Sequence, residues 1–404
     1  MRSRKRNVGR IRLSVQPWDR SFFFTVLLLT VLGLIMLLSA SFPTAMARRG
    51  DALFYFKRQT AFAGIGIVAM ILISYMDYEM LRTIGRPLLI ISIVLLIAVL
   101  EPHLGIMRNN ARRWLRIFSV EFQPSEIAKL AVIVDFSASI SVKKSRMATV
   151  RNGVVPYLGV IAIMFLLLWK EPHLSGAILI CAVGAILVFI GGVRLRWVAA
   201  VLLVIAGGAA LLLSGAISYG QSRIAMWKDP FIDAKGAGYQ LSQSLIAIGS
   251  GGMFGLGFGK SRQKFLFLPE VQNDFIFSII AEEMGLFGAA LILLLFALFV
   301  MQGYQIALRA KDRFGTLLCV GIISQVALQT FLNIAVVTGA IPTTGVSLPF
   351  FSYGGTALMM QLFEMGIVLS VSRQSKSEAV RPSNASSRLR QPKKQQSPES
   401  NESR

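Results

Sequence analysis

Apolar runs long enough to cross a bilayer recur along almost the whole chain, at 21–42, 59–76, 87–100, 124–140, 154–169, 175–192, 195–216, 274–302, 314–339 and 352–371. The hydrocarbon core offers no water to unpaired backbone amides, so each run has to be a helix. At 1.5 Å per residue, about 20 residues cross a core of about 30 Å. The run at 87–100 falls short and must extend into its flanks. The fold class that follows is all-α, a polytopic membrane protein of about ten transmembrane helices. Composition agrees, because 54% of the 404 residues are hydrophobic and only 15% are charged, against about 25% charged in soluble domains. The first run is too long for a signal peptide and further spans follow it. Cys181 and Cys319 lie inside apolar runs, so neither a disulfide framework nor a zinc site is expected.

A formal net charge of +22 can signal nucleic acid. Here the excess sits in the tails and in short loops between apolar runs, which is the signature of membrane topology. Residues 1–20 form a basic arm, expected in the cytoplasm. With that start, Arg82, Arg86, Lys143, Lys144, Arg146, Arg151, Arg194, Arg196, Arg309, Lys311 and Arg313 all fall in inner loops. An even number of spans, covering 21–373, returns the tail 374–404 to the cytoplasm. That tail is too poor in large apolar side chains to fold and is expected to be disordered. Two outer loops break the pattern. The loop 101–123 contains Arg108, Arg112, Arg113 and Arg116, and the large loop 217–273, between the seventh and eighth spans, contains Lys260, Arg262 and Lys264. Long loops translocate whatever their charge. Arginines clustered around Trp114 in a short loop instead suggest an anionic substrate at the outer face, held by guanidinium and ammonium groups.

The stretch 260–288 turns from basic and polar to apolar at Asp274. An aspartate there can cap a helix N-terminus, or it can act as a base on an anionic, lipid-borne substrate. The glycine-dense run 249–259 ends in Gly-Lys-Ser, but Phe254 stands where a phosphate loop needs glycine and no strand precedes it. Close approach of backbone to a headgroup or another loop explains the glycines better. Residues 239–248 read as an amphipathic interfacial helix. Within the spans, Glu126 and Lys129 share a helix face and can pair or line a cavity. Asp135, Glu282, Glu283 and Glu364 are further costly charges that should face the interior. His103 and His173 each sit in Glu-Pro-His-Leu, read as interface turns rather than a metal pair. The loop 338–355, with Pro342, Pro349 and several glycines, is expected to re-enter the bundle and roof the cavity.

Three blocks occur in order: NARRWLRIFSVEFQPSEIAKLA at 110–131, GYQLSQSLIAIGSGGMFGLGFGKSRQKFLFLPEVQNDFIFSIIAEEMGLFG at 238–288, and NIAVVTGAIPTTGVSLPFFSYGGTAL at 333–358. Through them the chain resembles the SEDS family of bacterial proteins (shape, elongation, division and sporulation) over residues 19–373. From Asn333-Ile334 through Pro349-Phe350-Phe351 it looks more like FtsW or SpoVE than RodA. The resemblance implies a ten-span SEDS-type fold in the bacterial cytoplasmic membrane, at the division septum. It also implies peptidoglycan glycosyltransferase activity on lipid II at the outer face, in division or sporulation. A class B penicillin-binding transpeptidase is the implied partner, with other division or sporulation proteins. The family's essential aspartate falls on Asp274, its loop tryptophan on Trp114, and its Glu-Lys pair on Glu126 and Lys129. Many members have His-Thr before the aspartate, where this chain has Gln272-Asn273, so a histidine base is excluded at that point.

The chemistry that follows is attack of an acceptor sugar hydroxyl on the donor's C1, with undecaprenyl diphosphate leaving. Asp274 is expected to be the base. Arg112, Arg113, Lys260 or Lys264 would stabilise the leaving charge, alone or around Mg2+ or Mn2+, for which Asp274 is a possible ligand. Two rival readings remain at this stage, a lipid II flippase and a non-catalytic scaffold that recruits the transpeptidase.

Overall fold

The computed structural model describes residues 17–108, 111–117, 120–194, 196–197, 199, 227–233, 236 and 238–375. Every apolar run inside those limits is a helix; the run at 195–216 apart from residues 196, 197 and 199, the basic arm up to residue 16 and the tail from 376 lie outside them. Helix α1 (Arg20–Arg49) begins where the Asp19 carboxylate accepts the Phe22 N–H at 3.0 Å and ends at Gly50 in the left-handed region. Then α2 (Phe54–Tyr75) returns across the bundle and α3 (Met80–Leu100) crosses again. The third helix lengthens the short run 87–100 back to Met80, as its span required. After it come α4 (Pro124–Lys143), the short α5 (Val150–Gly153), α6 (Val155–Lys170) and α7 (Leu174–Ile190). The amphipathic segment is α8 (Tyr239–Gly251), and α9 (Ile276–Arg309), α10 (Arg313–Val337) and α11 (Thr356–Arg373) complete the described bundle.

Among the described residues, 6 helical segments are long and apolar enough to cross a membrane, and Leu174–Ile190 is apolar but shorter. The fourth and eleventh helices fall outside that group because they bury polar side chains such as Lys129, Asp135, Gln361 and Glu364. Helix α10 is the axle, with Ser324, Gln325, Gln329 and Asn333 all buried. At the periphery, Ile65, Val68, Ile90, Ile91, Val94 and Ile97 point outward from α2 and α3. An apolar rim around a partly polar centre is the inverse of a soluble bundle and suits a hydrocarbon solvent.

Residues 101–123 do more than connect two helices. They form a three-stranded antiparallel sheet, β1 (Gly105–Arg108), β2 (Ala111–Ile117) and β3 (Val120–Phe122), in the order β1-β2-β3. In β2, Trp114 faces Ile106 and Arg112 faces Met107, so Arg113 is the extra residue of a bulge. The Thr356 hydroxyl, at the start of α11, donates to the Glu121 carbonyl at 3.3 Å and ties the sheet to the bundle.

The glycine-dense loop has a definite use. Helix α9 breaks at Gly285 (φ 67°, ψ −167°), which frees carbonyls and amides of the turn before it and the turn after it. The carbonyls of Glu282 and Glu283 accept from the N–H groups of Leu256 and Gly257 at 2.9 and 3.0 Å. In return, the N–H groups of Leu286 and Phe287 donate to the carbonyls of Gly252 and Met253 at 2.9 and 3.2 Å. A Cβ on Gly255 would lie 2.2 Å from the Glu283 carbonyl oxygen, so only glycine lets the two backbones meet. Close approach to another backbone segment is therefore what these glycines permit.

Candidate functional site

Asp274 lies just before α9 and is not spent on capping it. The N-cap position belongs to Phe275, and no side chain supplies a capping bond there. The carboxylate is half-buried. Its own backbone carbonyl accepts from the Asn333 amide at 2.7 Å, and the same Nδ2 donates to the Val346 carbonyl at 2.6 Å. One buried amide thus pins the residue and the loop 338–355 together. Gly345 in that loop has φ 67°, and a Cβ there would stand 3.2 Å from Asp274 Oδ2. The loop therefore lies directly on the carboxylate, as a roof, and Tyr353 N–H fastens it to the Gln272 carbonyl at 2.7 Å.

Burial, and then the negative charge of Glu270, push the Asp274 carboxyl up to about 6, while the Arg113 guanidinium opposes them. A group in that range is largely ionised at neutral pH yet keeps more proton affinity than an ordinary carboxylate, which suits a general base. Glu270 itself accepts from the Asn273 amide at 2.6 Å and lies 3.8 Å from Arg48.

The four arginines of 101–123 part company once the strand forms. Arg113, at the bulge, donates to the Pro172 carbonyl and acts electrostatically on Asp274, Glu171 and His173. The guanidinium of Arg112, one residue away, has no hydrogen bond or ion pair among the described residues, and the residue is half-exposed. Arg116 is paired with Glu121 at 2.5 Å, and the side chain of Arg108 lies outside the described residues. Trp114 is half-exposed beside them. Bulges re-aim side chains, and here the bulge singles out Arg113.

The two lysines of the large loop also differ. Lys260 is exposed; its backbone N–H donates to the Gly257 carbonyl at 3.0 Å, while its ammonium has no hydrogen bond or ion pair among the described residues. Lys264 is not available to a headgroup in this structure, contrary to the sequence expectation. Its ammonium is buried, 2.8 Å from Glu283, 3.0 Å from the Ser39 hydroxyl and 2.7 Å from the Gly259 carbonyl. The neighbouring Glu282 accepts from the Ser261 hydroxyl at 2.5 Å and from Arg262 N–H at 2.8 Å. Both glutamates of α9 therefore hold the glycine loop instead of facing a wet cavity.

Glu126 and Lys129 pair at 2.9 Å, and Lys129 also donates to Gln329 at 3.2 Å. Gln329 in turn donates to the Ser347 carbonyl at 3.1 Å. The pair is thus wired through α10 to the loop that covers Asp274, which satisfies the ion pair and places it near the site. Asp135 lies towards the opposite end of the bundle, 3.2 Å from Arg86. Glu364 accepts from Gln325 at 3.0 Å.

Sequence reasoning passed over several neighbours of this site. Glu171 is 1% exposed, and neither carboxylate oxygen has a hydrogen-bond partner among the described residues. Burial pushes it up to about 8, with Arg113 opposing. His173 is buried against Gln123, and burial followed by the charges of Arg113 and Lys129 push it down to about 3, so it stands neutral. The repeated Glu-Pro-His-Leu therefore occupies two different environments, since His103 is exposed. Nothing in the local sequence distinguishes the two copies. Among the described residues no three histidine, cysteine or acidic side chains gather to hold a metal ion. A divalent cation would meet the Asp274 and Glu270 carboxylates and would need substrate oxygens to complete its shell.

The model of the cell cycle protein family of FtsW, RodA and SpoVE matches residues 19–377. The chain belongs to that family. Stage V sporulation protein E of Bacillus subtilis is 43% identical over 353 residues, covering 87% of this chain and 96% of the relative. A protein named probable peptidoglycan glycosyltransferase FtsW, from Geobacter metallireducens, is 35% identical over 362 residues, covering 90% and 96%. Among solved structures, a chain of a peptidoglycan synthase complex that coordinates polymerization and crosslinking superimposes with TM-score 0.74 at 27% identity, covering 88% of this chain and 98% of that one. Thermus thermophilus RodA, a rod shape determining protein, gives TM-score 0.66 at 26% identity over 89% and 98%. These likenesses bear out the SEDS resemblance and the all-α membrane fold across nearly the whole chain. Within the family frame, the aspartate, the bulge arginine and the covering loop lie at one end of the bundle.

Proposed function

We propose that this chain is a peptidoglycan glycosyltransferase that polymerises lipid II, with Asp274 as its base. One observation carries the assignment: a half-buried carboxylate, released from capping duty, sits under the Gly345 loop with its proton affinity raised and Arg113 acting on it. The acceptor's 4-hydroxyl is a weak nucleophile, and Asp274 takes its proton as the oxygen bonds to C1 of the donor sugar. The bond from C1 to the diphosphate breaks, and the leaving oxygens gain charge that Arg113 stabilises, with exposed Arg112 and Lys260 steering the headgroup. Trp114 presents an aromatic face to a sugar ring, and Glu126–Lys129 holds the covering loop through Gln329. Asp274 and Glu270 would be the residues to hold Mg2+ or Mn2+ together with substrate oxygens, and a cation there would supply neutralisation of diphosphate charge.

This end of the bundle faces outward from the bacterial cytoplasmic membrane in our reading. Positive-inside loops support that orientation, with both termini in the cytoplasm and the protein at the septum. The likeness to a chain of a peptidoglycan synthase complex supports a class B transpeptidase partner. The experiment is Asp274→Asn in purified protein with its partner, given lipid II in detergent, with glycan strands resolved on a gel. Polymerisation should fall by about 10²–10⁴, the usual range for a lost general base, while the protein stays folded. Full activity in the variant overturns the assignment. Polymerisation by the wild type in detergent, where there are no leaflets to cross, also separates this reading from a flippase. Titration with chelator and Mg2+ at fixed pH then distinguishes base from metal ligand.

A further inference from the structure

The same loop that braces the broken α9 exposes an unusual set of side chains. Phe254 is 82% exposed, and Met253, Phe258, Phe265, Leu266 and Phe267 are each more than half exposed. Isolated exposed apolar residues are ordinary, but a concentration of this kind marks an interaction surface. Phe254 packs on Phe287 of α9, with ring centroids 5.3 Å apart. Phe287 belongs in turn to the exposed apolar stripe of that helix, Leu286, Leu291 and Leu294. The loop surface is therefore continuous with the rim that a membrane-spanning helix presents to lipid. Lys260 and Arg262 are exposed among the aromatics, and neither the ammonium nor the guanidinium has a hydrogen bond or ion pair among the described residues.

Much of the loop's polar backbone is satisfied within the protein. Glu282 takes the Ser261 hydroxyl and the Arg262 amide, Glu283 takes the Lys264 ammonium, and the amides of Leu256 and Gly257 bond to the broken helix. A non-helical segment can approach the hydrocarbon only as far as its remaining amides still reach headgroups or water.

We propose that residues 253–267 form a wedge seated in the leaflet at the sheet end of the bundle, with Lys260 and Arg262 on anionic lipid headgroups. The apolar side chains enter the upper acyl region and the cations stay at headgroup level, the arrangement of an interfacial anchor. Asp274 follows only seven residues after the last of these aromatics, so the wedge sets the height of the base relative to a lipid-borne substrate. The proposal concerns the membrane contact alone and stands whether or not Asp274 is the base.

Spin labels on Phe254→Cys, with Met253→Cys as a second position, test it. Cys181 is replaced by Ala, and fully buried Cys319 is left in place. The protein is reconstituted in vesicles of phosphatidylethanolamine and phosphatidylglycerol, and collision rates with oxygen and with a water-soluble nickel chelate are compared. Oxygen should dominate at 253 and 254, and the chelate at a label on Lys260→Cys. Replacing phosphatidylglycerol by phosphatidylcholine should shift the labels at 253 and 254 towards the water, and Lys260→Gln with Arg262→Gln should remove that lipid dependence. Chelate access at both 253 and 254 overturns the proposal by placing the loop in water. Exclusion of both reagents overturns it too, by showing that a second copy or another protein covers the face. Loss of oxygen access only when the transpeptidase is added likewise reassigns the surface to that partner.

Discussion

The two ends of the bundle use charge differently. At the end opposite the sheet, charges are paired and tie helices together: Arg82 with Asp312 at 3.0 Å, Lys311 with Glu79 at 3.2 Å, and Arg86 with Asp135 at 3.2 Å. Asp312 also caps α10 and accepts from the Tyr78 hydroxyl at 2.8 Å, and Arg373 closes on the carbonyls of Ser74 and Tyr75. At the sheet end some charges are paired as tightly, as with Lys264 and Glu283. Asp274 and Glu171 are not, and burial raises the proton affinity of both. Paired charge fixes the frame, and carboxylates held in water-poor surroundings with a mobile proton are suited to chemistry.

Asp274→Asn breaks this comparison most directly, because it should remove activity by orders of magnitude without touching the frame. The reverse case is Lys264→Met. Leaving Glu283 buried without its ammonium should destabilise the fold by about 3–5 kcal/mol, read as a lowered thermal unfolding midpoint in detergent. Lys260→Gln, four residues earlier, should leave the midpoint unchanged. If both lysines behave alike, the division of labour within the loop is wrong.

The pH profile sharpens the picture. The base must be deprotonated, so turnover should fall as pH drops through about 6, the range in which the Asp274 carboxyl takes up its proton. Glu270 raises that affinity and Arg113 lowers it. Glu270→Gln should therefore move the acid limb to lower pH, and Arg113→Gln should move it to higher pH, measured as initial rates of polymerisation. Movement in the same direction for both variants would mean that another group controls the limb. The smallest effect is expected at the opposite end, where Arg82→Ala removes a partly exposed ion pair worth about 1 kcal/mol or less and should leave turnover intact.

Much of the fold was legible in the residues. The apolar runs within the described residues are helices because hydrocarbon cannot hydrate an amide, and the short run 87–100, which had to extend into its flanks, does so back to Met80. The position of Asp274 was legible because a carboxylate stands where polar loop becomes apolar helix, and the helix does begin at Ile276. Glu126 and Lys129 were legible as a pair because i and i+3 share a helix face, and they do pair at 2.9 Å.

Other features belong to the tertiary structure alone. Arg112 and Arg113 are equivalent in the sequence, and only a β-bulge opposite Met107 turns one towards Glu171 and Asp274. Lys260 and Lys264 read alike until the break at Gly285 buries one against Glu283. The two copies of Glu-Pro-His-Leu are identical strings, and only the packing of α7 against Gln123 and Arg113 makes one of them part of the site. Hydrophobic length and helix periodicity are local properties, written in consecutive residues. Proton affinity and charge pairing depend on which distant groups arrive within a few ångströms and how much water they leave behind.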